Sequence, residues 1–340
     1  MNSENDPVIA YLADFFGIEN ELIRMTQFKG GYSNLTYLVQ AGDKEFVLRR
    51  PPFGMKISKA HDMGREFRIL TALEKAGYHK IPNPVHCCTD ESIIGTAFFL
   101  MEKVDGLILR DKLPIDWAFD ATYFRELSRQ AVDHMLELHQ LELEESGLVE
   151  LGKPEGYVRR QVTGWANRYL NAKTDDLPEM ESVAKWLFEN QPHHHNTAFI
   201  HNDFKYDNMV LSESSPLEIR AILDWEMATL GDPLMDLGTS LAYWAEEDDP
   251  DILKMFGLTY LPGNFTRQEV ISHYASKSPI AMDHMVFYYA FGLFKVGVIA
   301  QQIYQRHRQG FADDLRFGRL IHAVKACGEM AWKSIQTQQI

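Results

Sequence analysis

The segment that most constrains this chain is the run His201-Asn-Asp203-Phe-Lys-Tyr-Asp-Asn208. It places a carboxylate and an amide five residues apart, on one short loop that follows an apolar stretch. A carboxylate in such a loop can accept the proton of a substrate hydroxyl, and an amide oxygen can bind a metal ion. We interpret Asp203 as the base, Asn208 as a metal ligand and His201 as a residue that fixes the loop backbone.

The residues after this loop predict a second metal ligand. Residues 209–211 and 219–223 are short β-prone runs joined by a polar turn, which indicates a hairpin. Asp224 follows the second run. Mg²⁺ prefers hard oxygen ligands and is commonly held by one or two protein groups together with phosphates and water. Asn208 and Asp224 are therefore predicted to hold Mg²⁺ for phosphoryl transfer, whereas a hairpin with ordinary polar turn residues is the alternative.

A glycine turn near the N-terminus is a candidate phosphate site. Gly30 and Gly31 precede a predicted strand and let the backbone approach a phosphate closely. Ser33 and Asn34 can donate hydrogen bonds to phosphate oxygens. A plain hairpin turn would have the same sequence, so the turn gains its meaning from the residues around it.

The next predicted strand carries a candidate phosphate-binding arginine. Because side chains alternate along a strand, Val47 and Arg49 share one face, which we expect to line the nucleotide cleft. Glu66, on the following helix, is the expected ion partner of Arg49. Arginine stands where lysine is typical of this pattern. Its planar fork can bind phosphate or carboxylate through two nitrogens. A surface arginine is the alternative.

The order of predicted elements indicates an α+β chain with two lobes. Residues 1–103 form a small N-terminal antiparallel β lobe with one main helix, and residues 104–340 form a larger, mainly helical lobe that carries catalysis and acceptor binding. Residues 102–106 are the expected hinge. The periodicities behind this division predict strands at 35–39, 45–49 and 96–101, a helix at 63–75, and a long amphipathic helix with Phe124, Leu127, Ala131, Met135, Leu138 and Leu141 on one face.

The charge and cysteine content limit the partners and the compartment. A net charge of −14 argues against nucleic acid and against an anionic membrane surface. Three cysteines without a C-x-x-C spacing suggest a reducing compartment, and the first residues lack the pattern of a signal peptide. We therefore expect a cytoplasmic protein without a membrane partner. The apolar run 285–300 contains Lys295 and is predicted to be a core helix.

These motifs together resemble the aminoglycoside phosphotransferase (APH/choline kinase-like) family, which has a protein-kinase-like fold. The resemblance implies ATP and Mg²⁺ as cofactors, Asp203 as the base, Asn208 and Asp224 as metal ligands, and backbone hydrogen bonds from Glu102 and Val104 to adenine. Further positions that match the family are residues 30–37, 47–52, 65–70, 99–106, 136–139 and 223–238. Within the last of these, Asp232 and Asp236 are expected to cap a helix and fix a loop.

The resemblance is strongest to the branch related to kinase domains attached to some acyl-CoA dehydrogenases, which implies a small hydroxylated acyl compound as acceptor. An aminoglycoside-type antibiotic kinase and a nucleotide-binding pseudokinase scaffold are the two alternatives. The protein is expected to be a monomer or a homodimer. The candidates for acceptor recognition, each of which could instead be a core residue, are Trp244, Tyr288, Tyr289 and Lys295.

Overall fold

A computed structural model describes residues 7–28, 34–52, 62–110, 112–113, 119–193, 196–213, 217–311 and 314–340. Within these ranges a five-stranded antiparallel sheet occupies the N-terminal part, and most of the remainder is helical. The predicted α+β architecture, with a small β lobe before a larger helical lobe, is confirmed.

The sheet of the small lobe has the strand order β1-β2-β3-β5-β4. Its strands are β1 (Ile23–Gln27), β2 (Leu35–Ala41), β3 (Lys44–Arg50), β4 (Pro84–Cys88) and β5 (Phe98–Glu102). In the register of β3 and β5, Val47 lies opposite Met101 and Arg49 lies opposite Phe99. The strands predicted at 35–39, 45–49 and 96–101 are β2, β3 and β5.

The alternation of side chains along β5 directs the two faces of the sheet to different partners. Phe98 and Leu100 pack with helix α1 (Pro7–Phe16) in one core. Phe99 and Met101 pack with helix α2 (Met63–Lys75) in the larger core. The bounds of α2 match the helix predicted at 63–75. It begins at Asp62, whose side chain accepts a hydrogen bond from the Arg65 amide, as an N-cap does.

The large lobe combines helices with short strand pairs. Strands β6 (Ala198–Ile200) and β9 (Thr229–Gly231) pair with each other, as do β7 (Met209–Leu211) and β8 (Ile219–Ile222), which form the predicted hairpin. The remaining helices are α3 (Glu91–Ile94, in the small lobe), α4 (Ala121–His139), α5 (Tyr157–Ala172), α6 (Pro178–Glu189), α7 (Pro233–Tyr243), α8 (Asp251–Lys254), α9 (Arg267–Lys277), α10 (Met285–Arg308) and α11 (Leu320–Thr337).

Two glycines allow α7 and α10 to cross at backbone contact. A Cβ atom on Gly238 would lie 2.3 Å from the Tyr288 carbonyl oxygen, and one on Gly292 would lie 2.1 Å from the Gly238 carbonyl oxygen. Helix α10 is long and apolar enough to cross a membrane by length and composition, but 78% of its most apolar window is buried inside the protein. It is a core helix, as predicted.

The chain passes between the lobes close to the hairpin β7–β8. Leu107 and Leu211 exchange backbone hydrogen bonds of 2.9 and 2.8 Å. A Cβ atom on Gly106 would lie 2.3 Å from the Leu211 carbonyl oxygen, so this crossing requires glycine. The larger core includes α2 together with the helical lobe, and the division of the chain at residues 103 and 104 stays a prediction.

Candidate active site

The loop between β6 and β7 brings the predicted base and one predicted metal ligand together. The Asn208 side-chain amide donates to a carboxylate oxygen of Asp203 at 2.9 Å and to its backbone carbonyl at 2.8 Å. This amide therefore directs its nitrogen at Asp203 and leaves its oxygen, Oδ1, on the other side. The five-residue spacing in the sequence corresponds to a closed, hydrogen-bonded turn.

His201 holds this loop through both ring nitrogens. Its Nδ1 accepts a hydrogen bond from the Asp203 backbone amide at 3.2 Å, so the ring proton lies on Nε2, which donates to the Leu223 carbonyl at 2.9 Å. Burial lowers the pKa of His201, although Asp236, Asp203 and Asp224 oppose that effect. A neutral histidine thus joins the loop to the end of β8, in agreement with the role we predicted.

Asp236, on α7, anchors the same loop from beneath. Its two carboxylate oxygens accept hydrogen bonds from the backbone amides of His201 and Asn202, at 2.8 and 2.7 Å. His139 Nε2 lies 3.1 Å from one of these oxygens. Burial alone would raise the pKa of Asp236, but the hydrogen bonds from His139 and from the His201 backbone amide help to hold it below its usual value. The predicted loop role of Asp236 and the cap role of Asp232, which accepts from the Leu234 amide, are both confirmed.

Asn202 adopts a left-handed backbone conformation, with φ 68°, directly before the base. Such a conformation is unfavourable for a residue other than glycine and must be held by its surroundings. Its side chain accepts from the Tyr157 hydroxyl at 3.1 Å, and its carbonyl accepts from Lys295 Nζ at 2.6 Å. Burial lowers the pKa of Lys295 to about 8.

The hairpin brings Asp224 beside Asn208. The Leu223 amide donates to the Asn208 carbonyl at 2.8 Å, so the two predicted metal ligands flank a backbone hydrogen bond at the mouth of β7–β8. Asp224 also has a left-handed backbone, with φ 66°, and its side chain is 38% exposed. The hairpin thus places an accessible carboxylate, on Asp224, next to the segment that carries the buried Asn208 amide.

Arg49 connects Asp224 to helix α2. One guanidinium nitrogen forms a short ion pair with Glu66, and another lies 3.3 Å from Asp224 and 3.5 Å from Glu226. Burial opposes the charge of Arg49, but Glu66 and the other two carboxylates raise its pKa above the ordinary value. Burial raises the pKa of Glu66 against the opposing effect of Arg49. The predicted ion pair is present, whereas a role in nucleotide binding stays a prediction.

Asn34, the described residue of the predicted phosphate turn, contacts a residue of the site. Its amide donates to Glu226 at 2.9 Å, across the boundary between the sheet and the large lobe. Gly30, Gly31 and Ser33, the other three residues of the predicted phosphate turn, lie outside the described residues.

The predicted adenine-binding residues, Glu102 and Val104, lie at the C-terminal end of β5 and just after it. Val47 is partly buried on β3, on the face that carries Arg49. The Glu102 amide donates to the Asn83 carbonyl at 2.9 Å, and among the described residues no group accepts from the Val104 amide. In the register of β3 and β5, Glu102 lies opposite Phe46, the residue before Val47, and the adenine contacts remain predictions.

Lys205 is a site residue that the sequence analysis missed. Its Nζ atom lies 3.0 Å from an Asp203 carboxylate oxygen and 4.6 Å from the centre of the Tyr243 ring. Burial opposes its charge, but Tyr243 and Asp203 raise its pKa. The signal was present in the motif, because Lys205 lies two residues after Asp203.

The four acceptor-recognition candidates are all buried, with exposures of 6% for Trp244 and 2% for Tyr288, Tyr289 and Lys295. The Trp244 indole donates to the Phe265 carbonyl, and the Tyr288 hydroxyl donates to Asp232. Core packing, the alternative that we left open, describes these aromatic residues. Lys295 differs, because its ammonium reaches the catalytic loop.

The residues present fit the magnesium ion that the resemblance implies. Mg²⁺ needs hard oxygens and takes most of its ligands from phosphates and water. Asn208 Oδ1 receives no hydrogen bond from the described residues, and the Asp224 carboxylate is accessible. Among the described residues, no group of three or more His, Cys, Asp or Glu side chains is placed to hold a metal ion by itself, so the ion would take its other ligands from phosphates and water.

Comparison with known proteins assigns this arrangement to a family. The sequence model of the phosphotransferase enzyme family, APH, matches residues 24–270. Acyl-CoA dehydrogenase family member 10 of Mus musculus is 35% identical over 335 residues, which are 96% of this chain and 31% of that protein. The chain thus spans about a third of this curated relative.

Solved structures have the same fold. A Ralstonia eutropha protein, provisionally assigned as an aminoglycoside phosphotransferase, has a TM-score of 0.81 and 27% identity, with 97% of this chain and 98% of that chain covered. Choline kinase from Cryptosporidium parvum has a TM-score of 0.64 and 14% identity, with coverages of 97% and 96%. The predicted protein-kinase-like fold and the predicted family resemblance are both confirmed.

Proposed function

The chain belongs to the phosphotransferase enzyme family, and from that membership we propose that it transfers the γ-phosphoryl group of ATP, with Mg²⁺, to a hydroxyl of a small acyl compound. The single observation that carries the proposal is the joint position of Asp203, Asn208 and Asp224 around the mouth of the β7–β8 hairpin. These three side chains supply a base and two oxygen ligands, which is what phosphoryl transfer to an alcohol requires of a protein.

In the proposed reaction the acceptor oxygen forms a bond to the γ-phosphorus while the bond from that phosphorus to the β–γ bridging oxygen breaks. Asp203 accepts the hydroxyl proton, and ADP leaves with the bridging oxygen. Asn208 orients the Asp203 carboxylate through its 2.9 Å hydrogen bond. Mg²⁺, held by Asn208 and Asp224 when bound, would neutralise charge on the phosphates.

Two cations of the site, one beside the base and one beside Asp224, suit the negative charge of the reaction. Lys205 lies 3.0 Å from Asp203 and can stabilise the negative charge of the phosphoryl group during its transfer to the acceptor. Arg49 places a second positive charge 3.3 Å from the Asp224 carboxylate. In the proposed enzyme Arg49 takes the phosphate role that lysine has in the usual pattern, because its fork reaches both Glu66 and Asp224.

The acceptor class is supported by electrostatics and by the relatives. Lys205 lies 3.0 Å from the Asp203 carboxylate, and the Lys295 ammonium lies 2.6 Å from the carbonyl of the preceding residue, Asn202. Such surroundings favour a neutral or anionic acceptor over a polycationic one. Residues 246–251 form an acidic run that could attract a cation, but two of its carboxylates, Glu246 and Asp249, pair with Arg267. The curated relative is named as an acyl-CoA dehydrogenase family member, which favours an acyl compound.

A second candidate, an aminoglycoside-type kinase, is favoured by the Ralstonia eutropha protein that is 27% identical to this chain. The two candidates differ in acceptor charge. An assay of ADP release from Mg·ATP, with a panel of hydroxyacyl compounds and a panel of cationic aminosugars, separates them. We expect turnover with the hydroxyacyl panel only.

Transfer to the acceptor must be shown directly, because nucleotide hydrolysis alone also releases ADP. Mass spectrometry of the acceptor should detect one added phosphoryl group, and Asp203→Asn should abolish it. Turnover with aminosugars alone would replace the first candidate by the second. Absence of nucleotide binding and turnover under all conditions would contradict both candidates. Nucleotide binding without turnover would support the alternative of a pseudokinase that acts as a scaffold.

A further inference from the structure

Arg65 lies next to Glu66 on α2, but its side chain leaves the small lobe. Its guanidinium donates to three backbone carbonyls of the large lobe: Ala228 at 2.6 Å, Leu151 at 3.1 Å and Glu226 at 3.4 Å. Arginine can serve several acceptors at once, because its planar group carries five N–H donors in a fixed geometry. A cation with one compact donor group could not serve all three equally well.

The three carbonyls form one rigid acceptor set. The Thr229 hydroxyl also donates to the Leu151 carbonyl, at 3.3 Å. A Cβ atom on Gly152 would lie 2.5 Å from the Leu230 amide nitrogen, so the two segments touch at a distance that only glycine permits. Arg65 therefore binds a joined pair of segments, and movement of one carbonyl would disturb the others.

Two of these carbonyls belong to the turn that follows Asp224. Residues Trp225–Met227 form a 3₁₀ turn, and Asp224 enters it with a left-handed φ of 66°. A non-glycine residue keeps such a conformation only where its surroundings hold it. The hydrogen bonds from Arg65 to Glu226 and Ala228 hold the turn directly after the carboxylate.

The neighbouring residue completes the connection. Glu66 pairs with Arg49, which in turn lies 3.3 Å from Asp224. Two adjacent residues of α2 thus reach the same region by different routes: Glu66 through a side-chain ion pair, and Arg65 through the backbone of the turn. The orientation of the helix, the arginine and the carboxylate is fixed in a closed loop of contacts.

We propose that Arg65 is a positioning residue that couples α2 to the turn bearing Asp224, and so orients the metal-binding carboxylate toward Mg·nucleotide. The inference rests on the proposed function, because it assumes that Asp224 holds Mg²⁺. It assigns to Arg65 a contribution to the metal-dependent part of nucleotide affinity. Contact of Arg65 with the nucleotide itself is not part of the inference.

Binding of a fluorescent N-methylanthraniloyl ATP to the full chain tests this without an acceptor. The affinity is measured with MgCl₂ and again with EDTA, and the ratio gives the tightening due to metal. Arg65→Met should reduce this ratio by about 10- to 100-fold, the usual consequence of losing a partner that orients a metal ligand. Arg65→Lys should reduce it less. Arg68→Met, at an exposed position of the same helix, should leave it unchanged.

A double variant distinguishes positioning from general damage. Asp224→Asn alone should reduce the tightening due to metal to what Asn208 still supplies, and Arg65→Met should then cause no further loss, because both changes act on one interaction. Wild-type tightening in Arg65→Met, or an independent further loss in the double variant, would overturn the inference. If Arg65→Met does not fold, Arg65→Lys decides: a reduced ratio supports the inference and an unchanged ratio contradicts it. Nucleotide binding that is insensitive to metal in the wild type would instead remove the proposed function, and the inference with it.

Discussion

The two halves of the candidate site are held by different kinds of interaction. The catalytic loop is fixed from below by buried groups of the large lobe, chiefly Asp236 on α7 and the neutral ring of His201. The nucleotide side is fixed by ion pairs of Arg49 with Glu66 and Asp224, which come from three separate segments. One half is a hydrogen-bonded backbone loop, and the other is a network of charges between the lobes.

This difference indicates which half can adjust. Buried hydrogen bonds to a backbone specify one geometry, and their loss leaves polar groups unpaired. Charged side chains between two lobes can exchange one partner for another, such as a phosphate for a carboxylate. We therefore expect the catalytic loop to act as a fixed platform, while the Arg49 network rearranges when Mg·ATP binds. Each of the following variants tests one side of this contrast.

The largest effect is expected for Asp203→Asn, on the fixed side. Removal of the base should lower kcat by about 10²- to 10⁴-fold. The affinity for Mg·ATP should change little, because Asn208 and Asp224 remain. Steady-state kinetics and nucleotide titration measure the two quantities. Asp207→Asn removes a charge from the same loop at a position whose side chain is 40% exposed, and it should retain wild-type kcat. Equal losses in both variants would show that charge, rather than the base, matters.

Asp236→Asn tests whether Asp236 anchors the catalytic loop. The amide can no longer accept from both backbone N–H groups and from His139, so the free energy of unfolding should fall by about 3–5 kcal/mol, as expected when one partner of a buried charged network is lost. Chemical denaturation measures it. Asp251→Asn, where the side chain is 97% exposed in its pair with Lys254, should cost less than about 1 kcal/mol. A similar small loss in both would remove Asp236 from its anchoring role.

The same carboxylate predicts the direction of acid sensitivity. Because the pKa of Asp236 is lowered by folding, its contribution to stability is fully present above the unfolded value of about 3.9 and is lost as the pH falls through the folded value. The wild type should therefore lose more stability below about pH 4 than Asp236→Asn does. Parallel acid denaturation curves for the two proteins would contradict this.

The sequence could predict the catalytic loop because its geometry is local. Eight consecutive residues contain His201, Asp203 and Asn208, so their spacing is visible in the sequence without knowledge of distant contacts. Arg49 and Glu66 were also predictable, because strand alternation and a strongly periodic helix define which faces meet. The bounds of α2 could be predicted for the same reason, since Asp62 provides a cap and the helix is amphipathic.

The sequence contained no comparable signal for contacts between distant segments. The bonds from Arg65 to Ala228 and from Asn34 to Glu226 join residues more than 160 positions apart. No periodicity relates such positions, and only the packing of the lobes brings them together. Helix α1 was missed because its short apolar sequence suits a strand or a helix equally. Strand β4 was missed because Pro84 and the polar His86 interrupt the alternation of apolar and polar residues. Its pairing with β5 is visible only in the structure.

A smaller effect, on the pH dependence of stability, is expected for Lys295→Met on the fixed side. Its folded pKa is lowered to about 8 by burial, whereas an unfolded lysine titrates near 10.4. Between these values the unfolded chain binds more protons, so the stability of the wild type should rise with pH, relative to Lys295→Met, by about 2–3 kcal/mol. Urea denaturation at pH 7 and pH 10 measures the difference. Lys325→Met, at an exposed position on α11, provides the control and should run parallel to the wild type.

The smallest effect is expected for Arg49→Lys, on the adjustable side. The ammonium keeps the charge beside Glu66, but it loses the fork that reaches Glu66 and Asp224 through separate nitrogens. Loss of one charged hydrogen bond, about 1.5 kcal/mol, should raise the KM for Mg·ATP by about tenfold. The kcat should remain within a few-fold of wild type, because the catalytic loop is held independently. A fall in kcat as large as that of Asp203→Asn would show that the charge network and the loop act as one unit, and the contrast between the two halves would fail. Arg50→Lys, at the next position of the same strand, serves as the matched comparison for a buried arginine outside the Glu66 pair.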